Sequence, residues 1–225
     1  MKWRHEMDKI RRKDGVETRA RILEVAGRLF AEKGFRNTIH EEICRLADVN
    51  IGAINYHFRS KENLYVEAWK MAFRQSLEKH PVDGGVPPGT PPEERFRGRI
   101  LSFMRRMSDP ENIEFEIVHK EMATPTGFLA GAMRESLDPL RKETQSLVRE
   151  LLGGKATEKD VQLCEMSIMG QCFNPAVLHK RRKGQNKNRF GPKPLDFDIE
   201  TIADHVVSFS LAGIREMRKR AGKGG

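Results

Sequence analysis

The sequence predicts an all-α chain, and three observations carry that prediction. Apolar residues recur at helical spacing in one segment after another, and no stretch alternates like a half-buried strand. Capping residues stand ahead of several of these segments. The stretch HPVDGGVPPGTPP, a loop at 80–92, is too dense in Pro and Gly for a helix and separates two helical groups.

Residues 1–17 read as a basic N-terminal arm with Lys2, Arg4, Lys9, Arg11, Arg12 and Lys13. From Thr18, the apolar positions Ile22, Val25, Ala26, Leu29 and Phe30 form one helical face, and Gly34 ends the helix. Thr38 with Glu41 forms the pattern of a capping box for a second helix, Ile39 to Ala47. Asn50 caps a third, Ile51 to His57, and Ser60 with Asn63 starts a fourth that runs to about Lys79. Beyond the loop, helices are expected over Glu93–Met107, Glu111–Ala123, Gly127–Leu152 with a break near Pro139, Glu158–Lys180 and Ile199–Arg220. A basic loop over 180–196 precedes the last of these, with seven Lys or Arg and no acid from Lys180 to Lys193.

Charge and composition narrow the class of function. Lys and Arg total 41 against 32 Asp and Glu in 225 residues, a formal charge of +9 that favours anionic partners. No apolar run approaches the roughly 18 residues that span a bilayer, and the N-terminus lacks the apolar centre of a secretory signal, so a cytoplasmic location is expected. Cys164 and Cys172 lie about 12 Å apart along one helix, too far for a disulfide, and Cys44 has no neighbouring partner. Small buried thiols are the expected reading. No GxSxG, P-loop, HExxH or Cys-His array occurs, so no catalytic residue, metal or cofactor is expected.

The segment from Asn37 to Lys61 carries most of the functional signal. Ile39, Ile43, Cys44, Leu46 and Ala47 are expected to pack against the first helix, and Asp48 to take the left-handed turn position. Val49 and Ile54 hold the next helix from beneath. That leaves Asn50, Ile51, Gly52, Ala53 and Asn55 outward, on a helix short enough to enter a DNA major groove. Gly52 and Ala53 are small enough for close approach to the groove walls.

The run TRARILEVAGRLFAEKGFRNTIHEEICRLADVNIGAINYHFRSKENLY resembles the N-terminal domain of TetR-family transcriptional regulators. The resemblance rests on LFAEKGF, Thr38, the YHF at 56–58 and the SKE at 60–62 together. It implies a helix-turn-helix DNA-binding domain over 18–64 and a helical ligand-binding and dimerisation domain over 65–225. Carried onto matching positions, it implies that Thr38, Tyr56, His57 and Lys61 meet the DNA backbone, with Asn50, Ile51, Gly52, Ala53 and Asn55 facing base edges. Asp48, Asn50 and Asn55 stand where Gly, Ser and Leu are commoner, so base preference does not carry over.

The second region resembles, more loosely, the C-terminal domain of a CerR-like branch, through KEMATPT at 120–126, SIMGQC at 167–172 and ADHVVSFSLAGIR at 203–215. That resemblance implies a ligand pocket and pairing through the last two helices. Candidate pocket residues are Phe103, Met104, Met107, Phe115, His119, Met122, Phe128, Met133, Met169 and Gln171, a Met- and Phe-rich set suited to an apolar effector. Each Met is also an ordinary core residue. His119 and Glu116 alone do not make a metal site. Candidate dimer residues are Met166, Phe173, Ile202, Val206, Phe209 and Gly213. The expected function is a repressor that binds a palindromic operator in double-stranded DNA as a homodimer and is released by a small apolar effector, with no membrane partner.

Overall fold

The structure, a computed structural model, describes residues 2–183 and 197–223, with side chains over 14–173 and 197–222. Within them the chain is all-α, as expected. The helices are α1 (Lys2–Asn37), α2 (His40–Ala47), α3 (Ile51–Phe58), α4 (Lys61–Lys79), α5 (Pro92–Ser108), α6 (Glu114–Ala123), α7 (Ala130–Leu152), α8 (Glu158–Lys183) and α9 (Ile199–Lys223). The basic loop expected over 180–196 falls almost wholly outside the described residues. The chain divides into two compact units, one of residues 1–75 with 113–133, the other of 76–112 with 134–225. The sequence alone set off an arm over 1–17 and placed the boundary between its two domains at 64/65.

In the first unit α1 begins at Lys2, well ahead of Thr18, so the expected arm is helical. Its Lys, Arg, Glu and Met residues favour a helix, and one glycine at Gly15 costs only about 1 kcal/mol. Gly34 interrupts α1 at φ 77 and ψ 171, a region open only to glycine. Ile22, Ala26 and Phe30 are fully enclosed on α1, and Leu64, Tyr65, Ala68 and Trp69 on α4. Phe30 meets Tyr65 edge-on at 4.8 Å, and Phe35 lies 5.1 Å from both Tyr65 and Phe128. α6 belongs here because Ile117 is fully buried and Gly27 leaves room beside Ile113, whose Cδ1 lies 3.0 Å from where a Cβ would stand. The Tyr65 hydroxyl donates to Glu121, which also accepts from the Thr126 and Gly127 backbone N–H groups. One carboxylate thus joins α4 to the turn after α6.

In the second unit α5 buries Phe96, Ile100, Met104 and Met107 along one stripe. α8 contributes Val161, Ile168 and Cys172, and α9 contributes Ala203, Val206, Val207 and Ile214. Glu165 on α8 is nearly enclosed and accepts from Gln145 and Arg141 of α7. The break expected near Pro139 does not occur; α7 continues through it. Pro139 is exposed, so solvent can reach the backbone that it disturbs.

The Pro/Gly stretch is a loop, as expected, but a folded one. Turns close at Gly84 N to Pro81 O (2.9 Å) and Thr90 N to Pro87 O (3.1 Å), while Ser102 donates to the Pro81 carbonyl. At its start His80 and Lys79 each reach Asp109 Oδ2 at 2.9 Å, and the Glu111 N–H donates to Oδ1 at 3.0 Å. Burial alone pushes this carboxyl up, but the His80, Lys79 and Glu111 hydrogen bonds outweigh it and hold its pKa at about 2. A depressed carboxylate pKa stabilises the fold above its ordinary value, and that stability is lost as pH falls through the folded one. Between about pH 4 and 2 the protein is therefore expected to lose about 2 kcal/mol through Asp109. Urea midpoints at pH 5 and pH 2.5 should draw closer together in Asp109→Asn; an unchanged gap removes Asp109 as the cause.

Candidate nucleic-acid interface

The turn between α2 and α3 follows local chemistry. Asp48 adopts the left-handed conformation at φ 51 and ψ 57, as expected. The Val49 N–H closes the turn on the Cys44 carbonyl at 3.0 Å, and Arg21 of α1 reaches the Asp48 carbonyl. Asn50 caps α3, its Oδ1 accepting from the Ala53 N–H at 2.9 Å. Ser60 likewise accepts from the Asn63 N–H at 3.2 Å at the start of α4.

The capping box at α2 does not form. Ile39 holds the cap position without a side-chain bond. Thr38 turns inward, fully buried, and donates to the Gly34 carbonyl at 2.9 Å. The hydroxyl prefers a carbonyl left open by the break at Gly34, which spacing to Glu41 could not reveal. A direct phosphate contact by that enclosed side chain is therefore corrected to a brace between α1 and α2.

α2 packs through fewer residues than expected. Ile43 and Ala47 are fully buried and Cys44 is half-buried, but Ile39 and Leu46 are about half exposed. Their exposure is the signal that sequence reading missed, since apolar type alone argued for burial. On α3, Ile54 and Phe58 are enclosed, and Val49 just before it is half-buried. Asn50, Ile51, Gly52 and Asn55 are exposed, Ala53 is half-buried, and Tyr56 is 83 % exposed. The short helix has one inner edge and a broad outer one.

Positive charge surrounds this face. Arg19 lies 5.2 Å over the Phe58 ring and pairs with Glu67 at 2.9 Å. Burial, and then Arg19, hold the His57 imidazole below the ordinary histidine range. Lys61 stands 4.4 Å over the Phe35 ring, and burial lowers its pKa against the opposing pull of Glu62. Cys44 is raised by burial and then by Glu41, and Cys172 is pushed up to about 12 by burial, which keeps both as thiols.

The expected pocket set divides between the units. Phe115, His119, Met122, Phe128 and Met133 lie in the first; Phe103, Met104, Met107, Met169 and Gln171 lie in the second. Met104 and Met107 are enclosed in the core, whereas Met122 is 68 % exposed. Phe115, Met133, Phe103 and Met169 are half-buried, and Gln171 donates to the Ser167 carbonyl one turn back. His119 is exposed.

The expected dimer set also divides. Met166, Phe173, Phe209 and Gly213 are exposed and Ile202 is half-buried, but Val206 is buried with Ala203, Val207, Ser210 and Ile214. Val206 is thus corrected to intrachain core: α9 turns it toward α5 and α8, which cover that face.

Residues 22–68 match the family described as bacterial regulatory proteins of the tetR family. Residues 92–214, more than half of the chain, match the C-terminal domain of the HTH-type transcriptional dual regulator CecR, the branch named CerR-like above. The chain is 41 % identical over 61 residues to the HTH-type transcriptional regulator AcrR of Shigella flexneri, covering 27 % of this chain and 28 % of that protein. It is 31 % identical over 80 residues to a probable acrEF/envCD operon repressor of Escherichia coli K12, covering 35 % and 36 %. The matched stretches therefore span well under half of either relative. Among solved structures, AibR in complex with isovaleryl coenzyme A and operator DNA shares the fold at a TM-score of 0.58 and 22 % identity, over 86 % of this chain and 97 % of that one.

Proposed function

The chain belongs to the TetR family of DNA-binding transcriptional regulators rather than to a family of enzymes, and from that membership we propose that it is an operator-binding repressor, active as a homodimer and released by a small effector. The observation that carries this reading is α3. It is capped by Asn50, held from inside by Ile54 and Phe58, and presents Ile51, Gly52, Asn55 and Tyr56 outward. A helix so held can enter the major groove as a rigid element, because its buried edge fixes which side faces the DNA.

Roles follow from the placement of each group. Tyr56 and His57 meet phosphates as hydrogen-bond donors. Lys61 reaches a phosphate by leaving the Phe35 ring. The open N–H groups at the start of α2 take the phosphate contact that the Thr38 side chain does not make. Asn55, Ile51, Gly52 and Ala53 read base edges, and Asn50 does so to the extent that its cap permits.

Dimerisation is supported by an exposed apolar stripe on α8, Leu163, Met166, Gly170 and Phe173, and by Phe209 and Gly213 on α9. Among the described residues, and apart from the adjoining backbone of the same helix, no atom lies within 4 Å of a Cβ built at Gly170 or Gly213, so a second helix could approach closely there. A two-fold pair would present its α3 helices about 34–36 Å apart, matching a palindromic operator. The relative named as a probable operon repressor supports repression, and the AibR complex, which holds isovaleryl coenzyme A as well as operator DNA, supports a fold that takes both a small molecule and DNA. Residues 113–133, which carry five pocket candidates, pack within the unit that carries α3. An effector touching them has a route to the reading helix through unequal affinity for two states. Among the described residues no helix is long and apolar enough to cross a membrane, and a DNA-bound regulator with three free thiols fits the cytoplasm.

Fluorescence anisotropy on a palindrome upstream of the protein's own or a neighbouring gene tests the reading. Tyr56→Phe is expected to weaken binding about tenfold through two lost phosphate contacts per dimer, and Lys61→Ala by at least as much. Equal affinity for that palindrome and random DNA at physiological salt would sink the proposal, because charge alone yields sequence-independent binding.

A further inference from the structure

Arg59 ends α3 in a conformation that an L-residue rarely adopts, with φ 67 and ψ −40. Its N–H donates to the Asn55 carbonyl at 3.0 Å, and the next N–H, that of Ser60, turns back to the Phe58 carbonyl at 2.8 Å. The two-residue closure is a γ-turn of the strained, positive-φ kind. Glycine occupies such a turn freely, whereas a side chain with a Cβ is strained there. The chain nevertheless places its bulkiest cation at this point.

Nothing among the described residues accounts for that choice. Arg59 is exposed, and its guanidinium makes no hydrogen bond or ion pair among the described residues. The neighbouring cations differ: Arg19 pairs with Glu67, Arg21 bonds the Asp48 carbonyl, and Lys61 covers the Phe35 ring. Those three are held by the fold, so each must surrender an internal contact to reach DNA. Arg59 surrenders none. It stands two residues after His57, at the end of the helix proposed to read the operator.

We infer that Arg59 is a positioning residue for the DNA complex: the γ-turn presents its guanidinium to a backbone phosphate at the edge of the half-site. The inference rests on the operator-binding reading and adds a contact to it. A planar guanidinium can bridge two phosphate oxygens, fixing the angle at which α3 enters the groove as well as adding charge. The competing role is local, with the cation merely offsetting the negative end of the α3 dipole.

The experiment measures affinity against salt for wild type, Arg59→Gly, Arg59→Gln and Arg59→Lys. The probes are a duplex selected from a randomised pool by the wild-type protein and a scrambled duplex. Each phosphate contact contributes about 0.9 to the slope of log affinity on log salt, so the Gly and Gln variants should lose about 2 from a bound dimer. Lys should keep the slope. The Gly variant should melt no lower than wild type, since glycine relieves the turn, and the Gln variant keeps the strain while removing only charge. Wild-type preference for the selected duplex together with unchanged slopes in both Gly and Gln variants overturns this inference alone. Absence of any wild-type preference overturns the operator reading and this inference together.

Discussion

Phe30→Ala is expected to cost the first unit about 3–5 kcal/mol, the usual range for emptying a fully buried aromatic site. For a chain of this size that is a fall of about 6–20 °C in melting temperature. Phe30 is fully enclosed, edge-on to Tyr65 and 6.2 Å from Phe35. The cavity would open between α1 and α4, and α1 is the helix whose Arg19 lies over Phe58 of α3. Phe35 also carries Lys61 on its face and Phe128 on another side, so its loosening reaches both the proposed phosphate contact and the α6–α7 turn. Phe30→Leu should lose much less, because most of the volume is refilled. Thermal melts followed by circular dichroism decide it: an alanine variant that melts within about 2 °C of wild type means that this cluster is not the core of the unit.

Gly98→Ala should act on the second unit by the opposite route, excess volume. A Cβ there would lie 2.5 Å from Val86 Cγ2 and 2.7 Å from the Asp83 carbonyl oxygen. The carbonyl cannot retreat without disturbing the Val86 N to Asp83 O turn at 3.3 Å. Overpacking of this kind costs about 1–3 kcal/mol, and the loop over 80–91 should detach from α5 first. Adding Val86→Ala removes one obstruction and leaves the other, so recovery should be partial. Full recovery in the double variant, or no loss in the single one, would show that the loop is not seated on α5. Faster proteolysis between Pro81 and Pro91 is the second readout.

Several parts of the site were legible in the sequence because their causes are local. Asn50 caps α3 through a bond to a residue three positions away, and Asp48 takes the left-handed turn as its short polar side chain allows. Ile54 and Phe58 fall four apart on one edge, so their burial and the outward face of Asn55 and Tyr56 follow from helical period. The misreadings have a different origin. Thr38 had two acceptable partners, the α2 N–H groups and a carbonyl opened by Gly34, and only the folded backbone brings the second within 2.9 Å. Ile39 and Leu46 are as apolar as Ile43, yet α1 covers only the edge that carries Ile43 and Ala47. Pro139 ends helices in general, but exposure removes the need for a break. Arg59 carries no sequence signal, since its turn is recognisable only from φ and ψ.

By itself, then, the sequence determined most of the helices, the cap and turn that orient α3, and the family to which its reading head belongs. Those features depend on residues within about one helical turn of each other, where spacing is the whole cause. Only the tertiary structure decided which apolar faces find cover. It set Val206 inward and Phe209 outward on the same helix, and it joined residues 113–133 to the unit that holds α3. Burial depends on which surfaces meet across long separations in sequence, and no short-range pattern records that meeting.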